Sequence, residues 1–204
     1  MAIDLTRAQI DRALPRVAPG LTRYLWLQKH RDAGDLRANS VYRKQFNSFY
    51  RVRRGRDWQD KFYKLLEGKK GQAVGFAEVL HALHQATGRY EASFASKLLA
   101  TINPEMPVLD SVVLGNLNLS LPAYRSRDRA ARIERLHDTL VSWFRAFLPT
   151  ETGRYLVERF RTEYPHAAIS EVKMLDLVLW QTRPNNAFHR TVRKRRSAPL
   201  PRGR

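Results

Sequence analysis

The chain of 204 residues is 43% hydrophobic, which suits one globular domain with a buried core. It contains no cysteine, so disulfides, thiolate zinc sites and cysteine-ligated iron–sulfur clusters are excluded. No apolar run approaches the roughly 20 residues that a membrane-spanning helix needs. The N-terminal segment also lacks the apolar centre of a signal peptide. We therefore expect a cytoplasmic protein without a membrane partner.

The formal net charge of +18 is the strongest feature of the composition. Eight of the basic residues lie within 183–204, which leaves +10 for the rest of the chain. Such a basic body is typical of proteins that bind nucleic acid, because each neutralised phosphate releases counterions. A basic protein without a polyanionic partner is the alternative, and we favour nucleic acid.

Apolar residues recur at helical spacing through the first half of the chain. The pattern predicts helices at 3–14, 21–30, 41–53, 57–66 and 76–87. We expect Ser40 and Asp57 to cap the third and fourth of these helices, and Gly88 to follow the fifth.

The second half of the chain continues the same pattern. It predicts helices at 89–102, after Asp110, and at 129–147, 151–163 and 171–183, with Thr150 and Ser170 as the caps of the last two. No segment shows the period-two alternation of a strand. The predicted fold class is therefore all-α, with eight to ten helices in one domain over residues 1–183. Residues 184–204 are basic and lack apolar periodicity, which predicts a disordered tail.

Aromatic and basic residues alternate densely in the segment 42–64. This mixture can bind single-stranded or flipped bases by stacking, combined with phosphate contacts. The same mixture is found in any basic amphipathic helix that packs its aromatic rings into a core. Both interpretations remain open from the sequence.

Lys97 lies among apolar residues of the predicted helix 89–102, beside Phe94, Leu98 and Leu99. A lysine that is desolvated there would have a lowered pKa, which a lysine nucleophile needs at neutral pH. Alternatively, its stem packs against the core while its ammonium reaches water.

The loop 103–107 is short and contains two prolines, so the next helix must turn back towards Lys97. Asp110 stands at the start of that helix, where backbone N–H groups and the helix dipole keep a carboxylate ionised. Asp110 is thus either a catalytic carboxylate or simply a helix cap.

This arrangement resembles the helix-hairpin-helix DNA glycosylases, particularly their oxidised-guanine branch. The resemblance rests on a helix, a Gly88 turn, a helix with Lys97, and the run Pro-Val-Leu-Asp-Ser-Val-Val. More specifically, SFASKLLATINPEMPVLDSVVL is similar to a block in uncharacterised bacterial proteins assigned to that fold. The similarity covers about residues 75–120. The usual Leu-Pro-Gly-x-Gly hairpin is reduced here to Gly88, followed by Arg89, whose charge could replace the missing amide contacts.

The resemblance implies the roles of the two central residues. Lys97 corresponds to the lysine that is the nucleophile of lyase-competent members. Asp110, between Val108 and Val113, corresponds to their downstream aspartate. The implied protein is a monomeric DNA glycosylase acting on duplex DNA, with or without AP-lyase activity, that works at the nucleoid.

Further residues are candidates for holding the DNA. For phosphate contacts they are Arg43, Arg51, Arg53, Arg54, Arg56 and Arg89. For base stacking they are Tyr50, Trp58 and Tyr90, with Trp180 as a weaker candidate. The sequence predicts no cofactor and no metal site, and we expect His81 and His84 to serve in packing or at the surface. The alternatives are a non-enzymatic nucleic-acid-binding protein on the same fold and a protein-interaction module.

Overall fold

The computed structural model describes residues 5–182, and this part of the chain is all-α. A short 3-10 helix (Leu14–Arg16) follows the first α-helix. The ten α-helices within residues 5–182 are α1 (Arg7–Ala13), α2 (Ala18–His30), α3 (Ser40–Tyr50), α4 (Arg56–Lys69), α5 (Phe76–Thr87), α6 (Ala92–Ile102), α7 (Ser111–Asn116), α8 (Arg129–Phe147), α9 (Glu151–Glu163) and α10 (Glu171–Gln181). The predicted fold class is thus confirmed. The predicted tail at 184–204 lies outside the described residues. Within the described range, no helix is both long and apolar enough to span a membrane.

Local signals located several helices correctly. The bounds of α5, α8 and α9 are those that the spacing of apolar residues predicts. The side chain of Thr150 accepts a hydrogen bond from Gly153 N, and that of Ser170 accepts one from Lys173 N. These two caps are therefore confirmed.

Two predicted caps are wrong. Asn39, not Ser40, caps α3, and its side chain accepts a hydrogen bond from Tyr42 N at 2.9 Å. Gly55 precedes α4, so Asp57 lies in the first turn and pairs with Lys61 instead. In each case the helix begins one residue earlier than the sequence suggests.

Helix α3 is also shorter than predicted. It ends at Tyr50 because Arg51 takes the left-handed conformation, with φ of 53°. A residue in that conformation terminates a helix. The segment 51–55 that follows carries three of the candidate phosphate-binding arginines, of which Arg51 and Arg53 are exposed and Arg54 is half-buried.

Helices α6 and α10 are enclosed on nearly all sides. Every residue from Ala95 to Thr101 is buried, as is every residue from Val172 to Leu179. Helix α5 packs against α6, whereas α10 contacts α1, α7 and α9. A helix surrounded in this way must bury any polar residue that it carries. The buried polar residues of α6 and α10 are therefore candidates for a functional site.

One glycine fixes the junction between α8 and α9. A Cβ atom at Gly153 would lie 2.2 Å from the carbonyl oxygen of Phe147. The two helices can pack this closely only because the side chain is absent.

Candidate active site around Lys97

A tight turn brings Lys97 into the core. Helix α5 ends at Gly88, whose φ of 73° is left-handed and whose N–H donates to His84 O at 2.7 Å. The ring of Tyr90 stacks on that of His84, with the ring centroids 3.9 Å apart. Helix α6 begins two residues later and packs back on α5. The predicted helix–turn–helix around Gly88 is present.

The amine of Lys97 lies inside the protein. The residue is 6% exposed, and Nζ donates to the carbonyl oxygen of Tyr50 at 3.3 Å. Nζ also lies 5.2 Å from the ring centroid of Phe94 and 5.8 Å from that of Tyr50. The alternative in which the ammonium reaches water does not describe this conformation.

Burial lowers the pKa of Lys97, because a charged amine loses its hydration there. The negative charges of Asp110 and Asp176 oppose this effect, and the positive charge of Arg51 adds to it. The net direction is the one that favours a neutral, nucleophilic amine.

Asp110 caps α7 as predicted. Its Oδ1 accepts a hydrogen bond from Val112 N at 2.8 Å, and the residue is half-buried. The segment before it is fixed to α6, because Leu109 N donates to Ser96 Oγ at 2.9 Å. Ser96 is the neighbour of Lys97 in the chain, so this bond ties the segment leading to the Asp110 cap to the helix that carries the amine.

Sequence reasoning missed a second buried pair on α10. Lys173 Nζ lies 2.7 Å from Asp176 Oδ2, and both side chains are almost completely buried. Burial raises the pKa of Asp176, and the charge of Lys173 opposes that rise. Oδ1 of Asp176 makes no hydrogen bond to any described residue. A lysine and an aspartate three residues apart in an otherwise apolar helix were the available signal.

The predicted stacking residues occupy different positions. Tyr50 is 3% exposed and packs on Phe46 and Phe49, so it forms an inner wall beside Lys97 rather than a surface platform. Trp58 and Tyr90 are half-buried. The ring of Trp58 lies 4.7 Å from that of Phe94, and the Phe94 ring in turn lies 5.2 Å from Lys97 Nζ.

Trp180, the weaker stacking candidate, also faces the core. Its ring lies 5.4 Å from Phe49 and 6.5 Å from Tyr50. The rings of Tyr50 and Trp180 therefore both pack against the core.

The candidate arginines fall into two groups. Arg51, Arg53, Arg56 and Arg89 are exposed and form no ion pair with a described residue. Arg43 and Arg54 are held instead. Arg43 pairs with Asp60 across α3 and α4, and Arg54 pairs with Glu91 at 2.8 Å. The Arg54–Glu91 pair joins the segment after α3 to the start of α6.

The two histidines of α5 have structural partners. His81 Nε2 lies 2.8 Å from Glu134 Oε1, and His84 stacks on Tyr90. Residues 5–182 contain no group of three or more side chains that could hold a metal ion.

No protein-family model, curated protein or solved structure matches this chain.

Proposed function

We propose that this protein is a DNA glycosylase that excises a damaged or modified base, with Lys97 as its nucleophile. The observation that carries the proposal is the Lys97 amine. It is buried, its pKa is lowered, and no carboxylate contacts it directly among the described residues. Burying a lysine lowers the stability of the fold compared with an apolar side chain that fills the same space, so a functional role would explain its presence.

In the proposed reaction, a flipped nucleotide places its C1′ atom against the neutral amine. The Lys97 nitrogen forms a bond to C1′ while the bond from C1′ to the base breaks. The base leaves with the electron pair and takes up a proton. The substituted amine then loses a proton, and the bond from C1′ to the ring oxygen O4′ breaks. O4′ keeps the electron pair and takes up a proton, while the nitrogen lone pair forms a protonated Schiff base between Lys97 and C1′.

Asp110 would support this reaction electrostatically. Positive charge develops on the sugar in the transition state, and an ionised carboxylate nearby stabilises it. Asp110 can also accept the proton that the amine loses. Its negative charge already acts on Lys97, since it opposes the lowering of the lysine pKa.

Access to the amine requires a local movement. Tyr50 is the last residue of α3 and directly precedes the exposed Arg51. Its carbonyl oxygen accepts the hydrogen bond from Lys97 Nζ. We expect DNA binding at this segment to release the amine from the Tyr50 carbonyl.

Borohydride trapping tests the proposal. Duplexes carrying an abasic site or one of several oxidised bases are incubated with the protein, and borohydride reduces any Schiff base to a stable adduct. We expect an adduct that Lys97→Met abolishes. The exposed Lys64 provides the control, because Lys64→Met should leave the adduct unchanged.

Circular dichroism melting of Lys97→Met separates loss of the nucleophile from loss of the fold. An adduct that persists in folded Lys97→Met would refute Lys97 as the nucleophile. Absence of both adduct and base release for every duplex would refute the glycosylase.

One observation favours a second function, a nucleic-acid-binding protein without catalysis. Lys97 is 6% exposed and donates to a backbone carbonyl, which is also how a purely structural lysine would be placed. This function predicts DNA binding that weakens steeply with salt, and no adduct. The trapping experiment distinguishes the two.

A further inference from the structure

Two surface grooves of nearly equal size differ in charge. The first, of about 650 Å³, lies between α3 and the start of α4, and we call it the basic groove. Its lining includes four cations and no acid: Arg37, Arg43, Lys44 and Arg56, beside Asn47 and Gln59. The second groove, of about 640 Å³, lies along α9 and includes Arg154, Arg161, Glu158 and Glu171, so its formal charges cancel.

Contacts within the protein fix three side chains that line the basic groove, those of Arg43, Asn47 and Gln59. Asn47 Nδ2 donates to Gln59 Oε1 at 2.8 Å, and Tyr63 OH donates to Asn47 Oδ1 at 2.8 Å. The guanidinium of Arg43 lies 4.6 Å from the ring centroid of Tyr63 and donates to Arg37 O at 3.1 Å. Groups ordered in this way lose little entropy when a ligand binds.

Two of the four cations are available to an external anion. Arg37 pairs with Asp35, and Arg43 pairs with Asp60. The side chains of Lys44 and Arg56 are exposed and form no ion pair or hydrogen bond with any other residue among 5–182. The groove therefore keeps a positive charge that no described acidic side chain compensates.

A chain of contacts links the groove to Lys97. At its α4 end, Gln59 Nε2 donates to Arg54 O at 2.6 Å. The guanidinium of Arg54 lies 5.6 Å from the ring of Phe94, and that ring lies 5.2 Å from Lys97 Nζ. Arg54 and Phe94 thus connect the groove to the candidate active site.

We propose that the basic groove binds the phosphodiester backbone of duplex DNA and holds one strand beside the active site. Its lining offers cations and the Ser40 hydroxyl, which can contact phosphate oxygens, and no aromatic ring on which a base could stack. The Asn47 and Gln59 amides are already hydrogen-bonded within the protein. We expect binding there to be independent of base sequence, because phosphate contacts carry no sequence information. The inference rests on the proposed function only in taking duplex DNA as the partner.

Paired substitutions in the two grooves test this inference. Lys44→Gln/Arg56→Gln removes two charges from the basic groove, and Arg154→Gln/Arg161→Gln removes two from the α9 groove. All four side chains are exposed, so the fold should be unaffected. Binding to an undamaged duplex is measured by fluorescence anisotropy over about a fourfold range of salt. We expect the slope of log K against log salt to fall by about 2 in the basic-groove variant only.

Three results would overturn the inference: equal slopes in wild type and the basic-groove variant, equal falls in both variants, or equally strong binding of polyglutamate. The undamaged duplex keeps this test separate from the chemistry. If the slope falls as expected but no borohydride adduct forms, the glycosylase is refuted and the groove stands. If an adduct forms while the slopes stay equal, only the groove is refuted.

Discussion

Lys97 and Lys173 are both buried lysines, but their partners differ. Lys173 is held in an ion pair with Asp176 at 2.7 Å, and its ammonium lies 4.9 Å from the ring centroid of Tyr24. Lys97 donates to a carbonyl oxygen at 3.3 Å and contacts no carboxylate within the described residues. A contacting carboxylate stabilises a buried ammonium as an ion, whereas an amine without one loses its charge more readily. We therefore expect a structural role for Lys173, and we propose a chemical one for Lys97.

The largest effect on stability should come from breaking the Lys173 pair. Lys173→Met leaves Asp176 buried without its partner, and we expect the free energy of unfolding to fall by about 3–5 kcal/mol. Lys97→Met leaves only the Tyr50 carbonyl unpaired and should cost about 1 kcal/mol. Urea denaturation of both variants checks this difference.

The double variant Lys173→Met/Asp176→Leu controls for the loss of packing. It removes both charges and should recover most of the lost stability. Equal losses for Lys173→Met and Lys97→Met would break the comparison, because the ion pair would then contribute nothing specific.

His137 extends the comparison to a buried base with no charged partner. Its ring stacks on Phe76 at 3.9 Å, Nε2 has no hydrogen bond partner among the described residues, and burial lowers its pKa to about 4. The unfolded chain, with a histidine pKa of about 6.5, therefore binds more protons between these values. We expect stability to fall as the pH drops from about 6.5 to about 4, by up to about 3 kcal/mol.

Chemical denaturation at a series of pH values measures this effect. His137→Phe should flatten the pH dependence in that window, and His166→Gln, at an exposed histidine, should leave it as in wild type. If His137→Phe keeps the wild-type slope, the buried histidine is not the titrating group.

The last prediction concerns the rate of adduct formation and tests the role of Asp110. Its charge opposes the lowering of the Lys97 pKa, so Asp110→Asn should make more of the amine neutral. If Asp110 is only a helix cap, adduct formation should stay equal or become faster, since asparagine also caps. If Asp110 is a catalytic carboxylate, we expect adduct formation to slow about 100-fold.

Single-turnover trapping with Asp110→Asn, beside a melting curve, measures both properties. The proposal requires a slower reaction with nearly unchanged stability. A faster reaction would remove Asp110 from the catalytic machinery while leaving Lys97 in place.

Much of the secondary structure could be predicted, because its causes are local. The bounds of α5, α8 and α9 follow from apolar spacing within a few residues. The cap at Asp110 and the turn at Gly88 depend on the residue itself and its next neighbours. The error at Ser40 arose because the adjacent Asn39 can serve equally well as the cap. The error at Asp57 arose because α4 begins after Gly55, which has no capping side chain.

The site could be predicted only in part. Lys97 and Asp110 were found because one helix–loop–helix segment carries both. The Tyr50 carbonyl that accepts from Lys97 lies 47 positions earlier in the chain, and Arg54 pairs with Glu91 across 37 positions. No local pattern contains these contacts.

By itself, the sequence determined the all-α class, the positions of most helices, the positive charge and the placement of Lys97 and Asp110 on either side of a short loop. Only the tertiary structure decided that Lys97 lies buried, that Lys173 and Asp176 pair inside the core, that Tyr50 is an inner wall, and that one of two similar grooves is basic. The physical reason is range. Helix periodicity and caps act over about four residues, whereas burial and charge pairing depend on which helices meet.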